Sequence, residues 1–183
     1  ATLVPSLAQS LSVPTIIGDR MVLQRNSTSR FWGYANPNAQ VVVAPSWGDE
    51  VAVVADGFGQ WLAEVPTGEA AERQKVTISS DGEELSFSDI MIGEVWVCSG
   101  QSNMEMPVKG FGRQPVENSM DYILSAAKEA NRIRMFTVKR ARSYNEDKEN
   151  CEGGEWFCAS PQSVANMSAT AYFFAYNLAS AIN

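Results

Sequence analysis

The chain has 183 residues, 45% apolar and 19% charged, with a formal net charge of −7. A chain of this size and mix buries a core, and it is neither disordered nor fibrous. The acidic balance excludes nucleic acid as a partner, since phosphate binding needs clustered Lys and Arg, and no apolar run reaches the ~20 residues that a membrane-spanning helix requires.

Residues 1–10 place small side chains at Ser6 and Ala8, spaced as at the end of a secretory signal. That spacing points to a secreted or periplasmic protein. From residue 12 to 90, short apolar segments are punctuated every ten residues or so by turn formers such as Asn36-Pro-Asn38, Asp56-Gly57 and Asp81-Gly82. The pattern predicts strands over 21–24, 30–34, 40–44, 50–55, 61–65, 74–79 and 85–90, and hence a β-sandwich, jelly-roll-like domain covering 1–91. Alternation in the sixth puts Val76 and Ile78 on its core face.

After residue 92 the texture changes to strand, turn, helix, strand and helix, the opening of an α/β domain with a parallel sheet over 92–183. The expected elements are a strand at 95–98, a helix at 115–131 behind Pro115, a strand at 133–138 and a helix at 168–182 capped by Asn166 or Ser168. The polar loop over 142–163 is long enough to carry structure of its own. Two strands and two helices do not complete a covered parallel sheet, so the domain is expected to be incomplete in this chain.

The segment Gly93-Glu-Val-Trp-Val-Cys-Ser-Gly-Gln-Ser-Asn-Met-Glu-Met-Pro107 runs an apolar strand into a small-residue turn that presents serines. Ser102 follows Gly100 and Gln101, where a turn entering a helix exposes a hydroxyl and aims backbone N–H groups at an incoming carbonyl. The same residues also read as a plain turn. A serine nucleophile needs a base, and the chain contains no histidine. Three cysteines without histidine match no common zinc pattern, so no metal is expected. Cys98 reads as a buried small hydrophobe, while Cys151 and Cys158 are close enough to bridge a loop in an oxidising compartment. The five tryptophans offer a sugar-stacking platform on one reading and ordinary core on the other.

The stretch Val97-Cys-Ser-Gly-Gln-Ser-Asn-Met-Glu-Met-Pro107 resembles the nucleophile block of the sialate O-acetylesterase family, serine hydrolases of the SGNH type with a flavodoxin-like domain. Asp19-Arg-Met-Val-Leu-Gln24, Phe31-Trp-Gly-Tyr34 and Gly59-Gln-Trp61 are similar to that family's β domain, and Ser168-Ala-Thr-Ala-Tyr-Phe-Phe174 to its early catalytic-domain helix. The resemblance implies that Ser102 is the nucleophile with its own N–H as one oxyanion donor. Asn103 and Glu105 match the block without an assigned role. It also implies that the Asp-x-x-His segment supplying acid and base lies outside this chain, on a missing C-terminal segment or a second cleaved chain. The implied activity is hydrolysis of O-acetyl esters on sialic acids or related sugars, without a cofactor, and with little activity in this chain alone. The rival readings are a non-catalytic carbohydrate-binding or interaction module, and an esterase acting on acetylated xylan or another plant glycan.

Overall fold

The computed structural model describes residues 9–130, 132–144, 150–151 and 153–182. The signal-like stretch at residues 1–8 and the acidic positions 146, 147 and 149 lie outside them. The chain divides into two compact units: Ala1–Val95 with Arg140–Gly153, and Trp96–Lys139 with Gly154–Asn183.

All seven strands expected before residue 93 are present: β1 (Val22–Gln24), β2 (Thr28–Tyr34), β3 (Gln40–Pro45), β4 (Val51–Val54), β5 (Gln60–Pro66), β6 (Ala71–Ser80) and β7 (Glu83–Gly93). Five form a mixed sheet in the order β1-β7-β6-β3-β4, with β1 parallel to β7 and the other pairs antiparallel. Strands β2 and β5 form a separate antiparallel ribbon. Period-2 sequence fixes which face is wet. In β5, Trp61, Ala63 and Val65 are buried while Gln60, Leu62 and Glu64 are exposed. Val41 and Val43 of β3, Val76 and Ile78 of β6, and Ile90 of β7 are all fully buried. Each contributes about 1.5–3 kcal/mol of apolar burial.

Turn chemistry closes the strands. Asp81 and Gly82 both take positive φ, 48° and 83°. That is the left-handed pair a two-residue hairpin requires. Gly33 meets a different demand: a Cβ there would collide with the Ser12 carbonyl, because Ser12 pairs with Tyr34 through two backbone hydrogen bonds of 2.9 and 3.0 Å.

After β7 the chain departs from expectation in three ways. Residues 95–98 form no strand; the Val95 N–H is instead taken by the Gln24 side-chain carbonyl at 2.9 Å. The helix expected from 115 begins only at Ser119 (α2, Ser119–Ser125), because Asn118 is left-handed at φ 53° and so cannot continue a helix; a 3-10 turn, Ala126–Glu129, follows. Strand β8 (Arg134–Phe136), expected in a parallel sheet with 95–98, instead pairs antiparallel with β9 (Trp156–Cys158), which lies in the stretch read as a loop. Helix α3 (Pro161–Asn166) occupies the end of the long loop, in keeping with the expectation that the loop carries structure of its own. Its signal was legible: Ser160 and Ser163 cap each other reciprocally and Pro161 sits at the first helical position.

Helix α4 (Ala169–Ala181) is capped by Ser168, whose hydroxyl accepts from the Ala171 N–H. Tyr172 on α4 is fully buried among Val108, Ile123, Ala126, Met135 and Val164, and this cluster is the core of the second unit. Phe173 and Tyr176 pack edge-on against Tyr122.

Candidate active site

Residues 94–101 lead into a single helical turn, α1 (Ser102–Glu105). The lead is fixed at its start. Glu94 accepts from Arg25 Nε at 2.7 Å and from Gln24 Nε2 at 3.1 Å, while the Arg25 N–H donates to the Gly93 carbonyl at 2.8 Å. These donors hold the Glu94 carboxyl below its usual range, the Gln24 hydrogen bond first and the Arg25 hydrogen bond next. Trp96 then packs its ring edge-on to Phe174 at 5.1 Å, and Val97 is 93% exposed.

Ser102 is the first residue of α1, and it is exposed, as are Gly100, Gln101, Asn103 and Glu105. The Gln101 carbonyl accepts from Met104 and Glu105 N–H at 2.9 and 3.1 Å. The N–H groups of Ser102 and Asn103 belong to the opening of the turn, where no intrahelical acceptor exists. A group placed beside Ser102 therefore meets unspent donors. Gly100 eases the close approach of the turn, since a Cβ there would sit 3.3 Å from the Met104 Cβ and Met104 would have to shift by a few tenths of an ångström.

What holds this turn is the start of α4. Thr170 Oγ1 donates to the Asn103 carbonyl at 3.1 Å, and Ser168 Oγ donates to Met104 Sδ at 3.2 Å. The Ala169 N–H donates to the Met106 carbonyl at 2.7 Å, and Val108 N–H to Met167 C=O at 2.9 Å. Lys109 completes the fastening through Nζ to Asn166 Oδ1 at 2.7 Å. Sequence reasoning named Ser102 but missed Thr170 and Ser168 as its supports. Their signal was the small polar residues opening a helix that otherwise carries aromatic rings.

Other expectations fail on exposure. Cys98 is exposed rather than buried, because the segment carrying it has no strand beside it. Cys151 and Cys158 are both half-buried, and Cys158 lies in β9 opposite Arg134. Of the tryptophans only Trp61 is buried; Trp32 and Trp96 are 39% and 58% exposed.

Comparison with known proteins finds relatives over part of the chain. Over 140 residues, 71% of the chain, it is 31% identical to a sialate O-acetylesterase from Mus musculus, covering 25% of that protein. The sialate O-acetylesterase of Homo sapiens is 32% identical over 102 residues, half of this chain and 20% of its own length. The crystal structure of a carbohydrate acetylesterase from Xanthomonas citri matches with a TM-score of 0.85 at 30% identity, over 93% of this chain and 38% of that one. No family model matches. The chain spans a quarter or less of these two curated relatives.

Proposed function

We propose, starting from a chain that belongs to a sialate O-acetylesterase-like family over the part its relatives share, that it carries the nucleophile of a carbohydrate esterase that hydrolyses O-acetyl esters. On this reading, residues 1–91 are a β-sandwich and 92–183 begin an SGNH-type α/β domain. Ser102 attacks the acetyl carbonyl and its own N–H meets the developing oxyanion. A histidine outside residues 1–183 takes the hydroxyl proton, then returns it to the departing sugar oxygen. Water, activated by the same base, releases acetate and frees the serine.

The observation that carries the proposal is the exposed Ser102 at the head of a turn held by Thr170 and Ser168, in a chain without histidine. The chain alone is therefore expected to turn over little ester. The substrate is an O-acetylated sugar, and the partner is the remainder of the same protein. The secretory-signal-like spacing at residues 1–10 supports a secreted or periplasmic site of action.

The test is Ser102→Ala in the full-length protein, followed by acetate release. A fall of about a thousandfold or more in kcat/KM, with an unchanged melting curve, is expected; retained turnover moves the nucleophile elsewhere. Acetate release from O-acetylated sialic acid set against acetylated xylan decides the sugar.

A further inference from the structure

The β2–β5 ribbon turns one face to the core, and its other face is not what a plain solvated surface would be. Cross-strand register places Arg30 opposite Glu64, Trp32 opposite Leu62 and Tyr34 opposite Gln60 along that outer face. The first pair closes an ion pair at 3.1 Å. The other two line a cavity of about 750 Å³ together with Asp56 and Trp61. Cavities of ~300–1,000 Å³ are the size that holds small ligands.

Two features define what fits there. Trp32 and Tyr34 lie two residues apart on one strand, so their side chains leave the same face from backbone positions about 7 Å apart, and both line the cavity. A pyranose presents an apolar C–H face to such rings while its hydroxyls reach to the sides. Asp56 and Gln60 line the same cavity. The Asp56 carboxylate is fixed by the N–H groups of Phe58 and Gln60 at 2.8 and 2.9 Å, and Gln60 Nε2 donates to Tyr34 Oη at only 3.3 Å, a long bond that a ligand hydroxyl could replace.

The second feature is charge: the lining contains a carboxylate and neither Lys nor Arg, so an anionic sugar is repelled.

We propose that this face is a second carbohydrate site, distinct from Ser102, that binds a neutral oligosaccharide along Trp32 and Tyr34. It extends the carbohydrate-directed reading above, but it requires nothing of the nucleophile. The experiment therefore uses the Ser102→Ala form of this chain, so that failure here leaves the esterase assay untouched. Xylohexaose is the neutral probe and 3′-sialyllactose the anionic one, followed by titration calorimetry and by the shift of the indole N–H signals. Saturable xylohexaose binding is expected, weakened about tenfold or more by Trp32→Ala or Tyr34→Ala, with each variant's melting curve checked. Trp47→Phe, at a tryptophan that does not line the cavity and whose N–H donates to the Pro66 carbonyl, should bind as before. Absence of saturable xylohexaose binding overturns the site, as does binding that survives both substitutions in folded protein. Sialyllactose bound as tightly as xylohexaose overturns the assignment to neutral glycans.

Discussion

The strands before residue 93 and the segment that follows them are built from similar residues and end differently. Val41, Val43, Val76 and Ile78 lie in a sheet whose neighbours take up both their hydrogen bonds and their side chains. Val95, Trp96 and Val97 are just as apolar and as β-prone, yet among the described residues no strand pairs with them, and each is exposed. Propensity is the same in both places. What differs is whether a partner strand is present to convert it into structure.

Deletion of side-chain volume makes the sharpest test of this contrast. Ile78→Ala should cost about 2–5 kcal/mol in urea unfolding, whereas Val97→Ala should stay within about 0.5 kcal/mol; a large loss at Val97 would show it packed and remove the contrast. Glycines give the next largest effect. Gly110→Ala, at φ 74° with the Gln114 carbonyl 2.5 Å from the added Cβ, should cost about 2 kcal/mol, more than Gly82→Ala, whose added Cβ meets open space. Thr170→Val removes the hydrogen bond to the Asn103 carbonyl and should cost about 1 kcal/mol, with Thr170→Ser restoring most of it. Tyr172→Phe should be neutral or stabilising by up to about 1 kcal/mol, because the hydroxyl it removes is buried without a partner.

The smallest expected effect is on pH dependence. The Glu94 carboxyl is held below 4.5, its ordinary value, by Gln24 and Arg25. Its contribution to stability is thus fully present above pH 4.5 and lost as pH falls through the lower folded value. Glu94→Gln should flatten that part of the acid limb, which stability measured at a series of pH values would reveal.

The sheet and ribbon were legible because alternation, turn residues and strand length all agree there. Asp81-Gly82 is a hairpin turn in the sequence and in the structure alike. The second unit was less so, for physical reasons that can be named. Pro115 looks like a helix start, but the chain first closes a turn in which Phe111 and Gln114 pair and passes through left-handed Asn118. The apolar run at 95–98 reads as a strand because a strand's partner is invisible to local pattern. Ser102 stood out from its small-residue surroundings, whereas Thr170 acts across 67 positions of sequence, and no periodicity reports that. Trp32 and Trp61 are both strand tryptophans in the sequence, and only register assigns them to opposite faces.

One consequence follows from the carboxylate at the end of β7. Glu94 is satisfied by two residues that lie 69 and 70 positions earlier in the chain, and Gln24 spends its other amide atom on the Val95 N–H. Gln24, Arg25 and Glu94 therefore behave as one inherited unit. A change at any of the three slackens the tether of the serine-bearing arm, so related proteins should exchange them together or keep all three.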